Sequence, residues 1–548
     1  MKILFLTHSF NSMAQRLYLE LTALDHELSI EYDISDAVSL EAVDLYCPEL
    51  IIAPFLKRAI PETIYQNHVC LIVHPGITGD RGPSALDWAI LHDEPEWGVT
   101  VLQATAEMDA GPIWASVNFP MRAAAKGSLY RNEVIEAATR AVLEAVLKFA
   151  SGSFVPEPPD PATARGQLRP AMRQQDRTID WHNDSTATVL RKIRAADGFP
   201  GVLDATLDCY LFDAHLETDL KGSPGEIIAR SQGMICRATV DGAVWIGHLK
   251  RPDGFKLPAT QVLTTADLPE YPGRDIRYSE QGQIGYLHFD FYNGAMSTKQ
   301  CERLRVAYLE ATRRDTLVLV LMGGADFWSN GIHLNLIEAA DSPADESWRN
   351  INAMNDLVQT ILTTGSQLVI AALQGNAGAG GVFLALAADQ VVARLGVVLN
   401  PHYKAMGNLY GSEYWTYLLP RRVGPVRARE ITENRLPLTA KQAKQLGLLD
   451  DCFGTSHAEF LQGVTLLAES MALRAPELLA MKQAQRSKDE LLKPLADYRA
   501  EELSRMKRNF YGFDPSYHVA RYNFVCKVPN SRTPRHLALH RRIGSKAN

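Results

Sequence analysis

The chain has 548 residues, of which 46% are hydrophobic and 22% are charged. These fractions exclude a wholly disordered, collagen-like or disulfide-framework protein, and at roughly 150 residues per domain the length predicts three or four domains. The 56 basic and 63 acidic residues leave a net charge of −7, so no overall field attracts nucleic acid or an anionic membrane, and neither is predicted as a partner.

The seven cysteines are odd in number and form no Cys-x-x-Cys pair, which predicts neither disulfides nor a zinc ribbon. The histidines lack a spacing such as His-Glu-x-x-His, so no metal site is predicted. The apolar run at the N-terminus is too short for a signal peptide, which favours a cytoplasmic protein. Residues 369–388 are long enough to span a membrane, but the polar and glycine residues at 374–381 divide them into a strand, a turn and a helix start.

Residues 1–160 alternate between short apolar strands and helices, which predicts a Rossmann-like, doubly wound and mainly parallel sheet. The predicted strands are 3–7, 28–32, 50–53, 70–74 and 97–103, and the predicted helices are 12–24, one near Val38, 84–92 and a closing helix at 129–150. The run Pro156-Glu157-Pro158-Pro159-Asp160-Pro161 prevents regular structure and predicts a linker.

The rest of the chain completes an α/β multidomain prediction. Residues 161–272 are interpreted as a linker and a small OB-like β-barrel, with a helix at 186–196 and short strands near 225–230, 234–240 and 243–249. Residues 273–470 are a second α/β domain with apolar strands at 284–289, 317–322 and 368–373. Residues 471–548 are predicted to be a helical and then basic extension.

His74 follows an apolar strand and precedes Pro75-Gly76, so it lies where open α/β sheets bind their ligands. Asp109 follows the next strand along the chain. A histidine and an aspartate at neighbouring strand ends can form an acid/base pair in which the carboxylate fixes the imidazole tautomer. We therefore predict that His74 and Asp109 are catalytic.

This segment resembles the folate-dependent formyltransferases. The matching motifs are Ile72-Val73-His74-Pro75-Gly76, Arg81-Gly82-Pro83-Ser84, Gly98-Val99-Thr100 and Asp109-Ala110-Gly111-Pro112-Ile113, and they continue across the linker in Ile179-Asp180-Trp181 and Phe199-Pro200-Gly201. The resemblance implies a formyl group carried by 10-formyltetrahydrofolate, bound near Ile72 and transferred by His74.

Ile72 departs from the family pattern, which has an asparagine two residues before the histidine. Such an asparagine would donate to the developing oxyanion, and the loss of one such donor typically costs about a hundredfold in rate. A thiol is a good nucleophile once deprotonated, so this departure favours a thiol over an amine as the formyl acceptor.

Two glycine-containing turns mark the second half, one at 325–333 and one at 374–383. Each follows an apolar strand and the second opens a helix, so backbone N–H groups can point together at one oxygen. The two turns resemble those of the crotonase, or enoyl-CoA hydratase, superfamily, which implies an oxyanion hole for a coenzyme A thioester. By motif position the donors are the amides of Asn330 and Gly380, and Gly331 and Gly381 are expected to contact the ligand.

The two carboxylates of the hydratases are absent, since Phe383 and His402 stand in their places. Hydration of a double bond needs a positioned acid and base, so simple hydration is not expected. The polar and aromatic stretch between 400 and 415 offers Tyr403 and Glu413, which we predict to be the catalytic pair, with either one as the base.

The order of the two modules resembles a family of hydrogenase maturation proteins. That resemblance implies formyl transfer from 10-formyltetrahydrofolate to coenzyme A, followed by decarbonylation of formyl-CoA to carbon monoxide for a nickel-iron hydrogenase, with the maturation machinery as an indirect partner. Arg16 is predicted to bind a cofactor phosphate, and other candidate cations are Lys57, Arg58, Arg421, Arg422, Arg532, Arg535, Arg541 and Arg542.

Two alternatives remain open at this point. One is a formyltransferase that uses another acceptor and carries an unrelated acyl-CoA activity. The other is a non-catalytic scaffold that binds coenzyme A and delivers a maturation partner, which the missing hydratase carboxylates would fit.

Overall fold

The computed structural model describes residues 1–162 and 164–543. They fold as two units, one of Met1–Pro272 together with residues 530–543, and the other of Gly273–Pro529. The α/β multidomain architecture expected from the sequence is confirmed. The predicted extension at 471–548 is divided between the units, since residues 471–529 fold with the second unit and the described tail beyond Pro529 folds with the first.

Six strands form the first sheet: β1 (Lys2–Thr7), β2 (Glu27–Tyr32), β3 (Leu50–Ala53), β4 (Cys70–His74), β5 (Glu96–Gln103) and β6 (Ile113–Pro120). Their order is β2-β1-β3-β4-β5-β6. The first four strands are parallel, and the nearly continuous apolar sequences of β1, β3 and β4 reflect burial on both faces. β5 and β6 each run antiparallel to the preceding strand, so the sheet has an antiparallel edge that includes a strand the sequence analysis missed.

Helices connect and cover these strands: α1 (Ser12–Thr22), α2 (Asp36–Tyr46), α3 (Glu62–Tyr65), α4 (Ala85–Leu91), α5 (Lys126–Leu129) and α6 (Ile135–Ser151). The side chains of Asn11 and Ser35 accept hydrogen bonds from first-turn N–H groups of α1 and α2, as N-cap residues do. The predicted closing helix at 129–150 is interrupted by a π-helical turn at Tyr130–Val134.

A small antiparallel β domain follows, as expected. Its elements are α7 (Thr186–Ala196), β7 (Val202–Asp204), β8 (Cys209–Glu217), β9 (Ile227–Ser231), β10 (Met234–Ala238), β11 (Ala243–Lys250), β12 (Lys256–Pro258) and α8 (Ala259–Val262). The strands are ordered β7-β8-β11-β10-β9, with β12 paired to β11. The amphipathic α7 packs its apolar face on this sheet through Val189, Leu190 and Ile193.

The chain tail lies along β2, the edge strand of the first sheet. The N–H of Ile30 donates to the Leu537 carbonyl oxygen at 3.0 Å, and the N–H of Tyr32 donates to Thr533 Oγ1 at 2.7 Å. Between them, the buried carboxylate of Glu31 binds three tail side chains, those of Thr533, His540 and Arg541. Burial alone would raise the pKa of Glu31, but the hydrogen bonds from His540 and Thr533 outweigh it and lower that pKa.

The second unit contains three sheets. Its strands are β13 (Ile276–Gln281), β14 (Ile284–Phe289), β15 (Ala295–Met296), β16 (Val318–Met322), β17 (Phe327–Ser329), β18 (Gly331–Ile332), β19 (Leu368–Leu373), β20 (Asn376–Gly378), β21 (Gln390–Arg394), β22 (Val398–Asn400), β23 (Leu438–Thr439) and β24 (Asp451–Phe453). The largest sheet has the order β13-β14-β16-β19-β21-β24, the next has the order β17-β20-β22-β23, and β15 pairs with β18. The turns that follow β16 and β19 therefore lead into neighbouring strands β17 and β20.

Helices pack on both sides of these sheets. They are α9 (Thr298–Ala311), α10 (Leu334–Glu338), α11 (Pro343–Leu362), α12 (Gly380–Leu386), α13 (Trp415–Val423), α14 (Pro425–Asn434), α15 (Ala440–Gln445), α16 (His457–Leu473), α17 (Ala475–Leu492), α18 (Leu495–Tyr511) and α19 (Ser516–Val525), and α20 (His540–Ile543) lies in the tail. All seven residues of α12 are buried, which explains the apolar run at 369–388: it is a core strand followed by a core helix.

Candidate active site

His74 ends β4 with a carboxylate near each ring nitrogen. Its Nε2 lies 3.0 Å from Asp80 Oδ2, and its Nδ1 lies 3.6 Å from Asp109 Oδ2. The Asp109 carboxylate also accepts a hydrogen bond from the N–H of Gly82 at 3.1 Å. Only the Asp80 contact is short enough for a hydrogen bond, so His74 is paired more closely with Asp80 than with Asp109, the residue predicted from the sequence to orient the imidazole.

The route by which Asp109 reaches His74 differs from the predicted one. β5 is antiparallel to β4, so its last residue, Gln103, pairs with Leu71 and not with His74. The chain after β5 must therefore return toward the other end of β4 before β6 begins. The pair exists because this loop folds back, and not because two parallel strands end side by side.

Asp80 is the functional candidate that sequence reasoning missed. Its side chain is fully buried, and its second oxygen, Oδ1, has no hydrogen-bond partner in the described part of the chain. A buried carboxylate oxygen without a donor is costly, so a donor group of a ligand would be favoured here. Gly76 makes room for this contact, because an added Cβ would lie 2.4 Å from His74 Nε2 and 2.6 Å from Asp80 Oδ2.

Two further residues of the first unit were predicted to contact a cofactor. Ile72 lies two residues before His74 on β4, so both side chains project from the same face of the sheet. Arg16 on α1 lies 2.6 Å from Glu20 and 3.8 Å from Glu136. A phosphate bound by Arg16 would have to compete with these two carboxylates.

In the second unit, Tyr403 and Glu413 meet as the sequence analysis expected. The Tyr403 hydroxyl lies 2.5 Å from Glu413 Oε2 and 2.9 Å from the Ser412 carbonyl oxygen. The Tyr403 ring stacks on Phe383, with ring centroids 5.4 Å apart and an interplanar angle of 15°. Both members of the pair are buried. Phe383 stands where a hydratase would carry a carboxylate, and its ring forms an apolar wall beside Tyr403.

The two glycine turns are adjacent, as predicted, but their amides are not equally available. An added Cβ on Gly380 would lie 2.5 Å from Glu413 Oε1, so the carboxylate rests against the first residue of α12. An added Cβ on Gly331 would lie 3.4 Å from the Gly380 nitrogen. The N–H of Asn330, however, donates to the Gly294 carbonyl oxygen at 2.7 Å, so this predicted oxyanion donor is already used.

Gly331 and Gly381 have packing roles in the structure. The N–H of Gly331 donates to Ser329 Oγ at 3.1 Å. An added Cβ on Gly381 would lie 2.1 Å from the Ser329 carbonyl oxygen, and the Gly381 carbonyl accepts a hydrogen bond from Trp328 Nε1. These contacts hold the two turns together. The ligand contacts expected of Gly331 and Gly381 stay predictions.

Burial controls the protonation of the Glu413 site. Burial raises the pKa of Glu413 to about 8. The hydrogen bond from Tyr403 lowers this pKa, and the charge of Glu502 raises it further. Burial also raises the pKa of Glu502 to about 7. The pKa of Tyr403 is raised by burial and then by the neighbouring Glu413 charge, so the tyrosine stays protonated at neutral pH.

Three family matches divide the chain in the same way as the fold does. The formyl transferase family matches residues 24–146, the formyl transferase C-terminal domain matches residues 171–267, and the enoyl-CoA hydratase/isomerase family matches residues 291–519. The hydrogenase maturation factor HoxX of Bradyrhizobium diazoefficiens is 56% identical over 99% of this chain and 97% of its own length. The chain belongs to the HoxX family.

Two further comparisons agree with the HoxX assignment. HypX from Aquifex aeolicus, whose crystal structure was determined in complex with tetrahydrofolic acid, is 49% identical over 99% of both chains, with a TM-score of 0.96. The methionyl-tRNA formyltransferase of Citrifermentans bemidjiense is 26% identical over 41% of this chain and 71% of its own length. A HoxX chain therefore combines formyltransferase domains with a hydratase-like domain.

Several cations that the sequence offered as coenzyme A phosphate ligands already contact carboxylates. The pairs are Arg58–Asp36, Arg421–Asp489, Arg422–Asp450, Arg532–Glu41 and Arg541–Glu31. No helix in the described ranges is both long and apolar enough to cross a membrane. Within residues 1–162 and 164–543, no cluster of three or more His, Cys, Asp or Glu side chains is arranged to hold a metal ion.

The raised carboxyl pKa values predict that stability falls as pH rises. Above about pH 4 the unfolded chain loses these protons while the folded chain keeps them, so this stabilisation is complete at low pH and is lost as pH rises through 7 to 8. Each carboxyl contributes a slope of about −1.4 kcal/mol per pH unit to the unfolding free energy in that range. We expect Glu413→Gln to flatten this slope in denaturant unfolding followed between about pH 5 and about pH 9.

Glu433→Gln is the matched control for this stability prediction, because Glu433 is exposed on α14. It should leave the pH dependence of unfolding as in the wild type. Parallel curves for wild type and Glu413→Gln would contradict a raised pKa at Glu413.

Proposed function

We propose that this HoxX chain makes carbon monoxide in two steps. The first unit transfers a formyl group from 10-formyltetrahydrofolate to the thiol of coenzyme A, and the second unit decarbonylates formyl-CoA to carbon monoxide and coenzyme A. The observation that carries the proposal is the buried Glu413 carboxyl, hydrogen-bonded to Tyr403 and resting against Gly380 at the start of α12. This contact supports a site in which Glu413 is the base, Tyr403 is the acid and the N–H of Gly380 is the oxyanion donor.

In the first step, His74 is the base. Asp80 accepts the Nε2 hydrogen and fixes the tautomer, which leaves the Nδ1 lone pair for the thiol proton. The thiolate attacks the formyl carbon, and as the carbon–nitrogen bond to the folate breaks, the His74 imidazolium returns its proton to the leaving nitrogen. Asp80 and Asp109 both stabilise the imidazolium that forms. The tetrahydrofolate bound by the Aquifex aeolicus relative supports folate as the carrier.

In the second step, Glu413 removes the formyl hydrogen as a proton. The electron pair of the C–H bond forms the carbon monoxide lone pair, the C–S bond breaks, and its electrons leave on sulfur. Tyr403 protonates the thiolate, and Glu413 returns its proton to Tyr403 along the 2.5 Å hydrogen bond. The cycle therefore closes without a proton from solvent, which suits a site whose apolar wall excludes the water that would hydrolyse the thioester.

Gas analysis tests the proposal directly. Purified protein, first freed of any bound coenzyme A, receives 10-formyltetrahydrofolate with or without coenzyme A, and carbon monoxide is detected by the spectral shift of haemoglobin. We expect the gas only when coenzyme A is present. Tetrahydrofolate with formyl-CoA or formate but no gas would overturn the second step, and no turnover at all would favour a binding scaffold.

The rate of carbon monoxide release from supplied formyl-CoA should rise with pH. Glu413 acts only as the carboxylate, and with a pKa of about 8 its ionised fraction grows up to that pH and levels off above it. Initial rates measured between about pH 6 and about pH 10 should rise along a titration curve for one ionising group, the Glu413 carboxyl. A rate that falls over the same range would indicate that the protonated carboxyl is the reactive form.

A further inference from the structure

Glu502 is a second buried carboxylate beside the Glu413 turn, and the proposed reaction does not use it. It projects from α18, some ninety residues after this turn, and its side chain is fully buried. Its Oε2 accepts hydrogen bonds from the N–H of Tyr414 at 2.9 Å and from Ser412 Oγ at 3.3 Å. Its Oε1 accepts from the N–H of Thr416 at 2.9 Å and from Thr416 Oγ1 at 2.6 Å.

These contacts hold a backbone turn that L-amino acids rarely adopt. Glu413 and Tyr414 have φ values of 59° and 58° in succession, a left-handed conformation that is unfavourable for residues other than glycine. The N–H of Glu413 donates to Asn355 Oδ1 at 2.8 Å, and the next N–H donates to Glu502. The turn persists because its N–H groups have fixed acceptors, and it directs the Glu413 side chain toward Tyr403.

Glu502 also acts on Glu413 through its charge. After burial, the Glu502 charge is the second influence that raises the pKa of Glu413. The other titratable groups facing Glu413 are Tyr403, which donates to it, and the buried Cys301 thiol, whose pKa is raised by burial and then by the Glu413 charge. Of these three neighbours, Glu502 is the one whose charge raises the pKa of Glu413.

We propose that Glu502 is the positioning residue of the decarbonylation site, because it accepts the hydrogen bonds that fix the turn carrying Glu413. This inference rests on the proposed function, because it gives Glu502 a role in the reaction assigned to Glu413. Glu502 touches neither substrate nor product in this scheme.

The test compares Glu502→Gln with Glu501→Gln. The first variant keeps the shape and removes the charge, whereas Glu501 lies one residue away, exposed and paired with Lys493. With supplied formyl-CoA, we expect Glu502→Gln to move the pH midpoint of kcat down by about one unit and to lower kcat about tenfold, with KM within about twofold. Glu501→Gln should match the wild type, and an unmoved midpoint in Glu502→Gln would overturn the proposal.

A second readout needs no turnover. The carbonyl stretch of the protonated Glu413 carboxyl, identified by its loss in Glu413→Gln, is titrated by infrared difference spectroscopy in the resting protein. Glu502→Gln should lower the pH at which this band disappears, and an unchanged titration would overturn the proposal. If the wild type releases no carbon monoxide, the proposed function fails, and the band still decides whether Glu502 controls Glu413.

Thr416→Val keeps the inference testable if Glu502→Gln does not fold. It removes the Thr416 Oγ1 donor, so Glu502 ionises less readily and repels the Glu413 charge less. The infrared titration of Glu413 should then move down by about half a unit. No movement in a folded Thr416→Val protein would count against the proposal.

Discussion

Glu413→Gln should reduce carbon monoxide release from formyl-CoA by at least about a hundredfold, the lower end of what a positioned base contributes. Glutamine has nearly the shape of glutamate, and it can still accept the Tyr403 hydrogen bond, but it cannot take up the formyl proton. Rates are measured with formyl-CoA supplied directly, so the first unit is not required. Formyl transfer to coenzyme A, assayed by release of tetrahydrofolate, should be unchanged within about twofold.

Glu433→Gln, on the exposed face of α14, is again the control and should retain both activities. A Glu413→Gln protein that still releases gas within a few-fold of the wild-type rate would remove Glu413 as the base. Tyr403→Phe would then be the informative variant, since the phenol is the other group at the site that can accept a proton once ionised.

His74→Gln should have the complementary effect, with formyl transfer lowered by at least about a hundredfold and decarbonylation of supplied formyl-CoA retained. The amide cannot accept the thiol proton, whichever nitrogen of His74 normally does so. Tetrahydrofolate formation is the readout for the first reaction, and gas from supplied formyl-CoA is the readout for the second. His182→Gln, at an exposed position in the β domain, is the matched control.

Asp80→Asn separates the two carboxylates around His74. If Asp80 fixes the tautomer, this variant should lose more formyl transfer than Asp109→Asn, because the contact of Asp80 is 3.0 Å and that of Asp109 is 3.6 Å. The reverse order would restore the orienting role that the sequence pattern assigned to Asp109.

The sequence was informative where function depends on a local motif. His74 ends a predicted strand, and Tyr403 and Glu413 are only ten residues apart, so nearby polar residues in an apolar domain were sufficient to predict that these two side chains meet, while their catalytic role stays a prediction. The glycine turns were likewise predicted to meet, because each follows an apolar strand and the second opens a helix, and the structure pairs those two strands in one sheet.

The features that were missed depend on tertiary contacts. Asp80 lies among glycines, where a charged residue usually marks an exposed turn, and its burial results from its contact with His74. Glu502 lies in a helix rich in charged residues, where glutamate normally faces solvent. The motif alone predicts a free Asn330 amide, because its acceptor, the Gly294 carbonyl oxygen, comes from another part of the chain.

The tail that pairs with β2 has a consequence for how the two activities can be separated. The chain leaves the first unit at Pro272 and re-enters it at residue 530, so the hydratase-like unit is an insertion within the formyltransferase unit. A fragment that stops at Pro272 would lack Thr533, His540 and Arg541, the tail partners of Glu31, and would leave the hydrogen-bonding edge of β2 uncovered. An isolated formyltransferase half must therefore include the last segment of the chain, joined by a new linker.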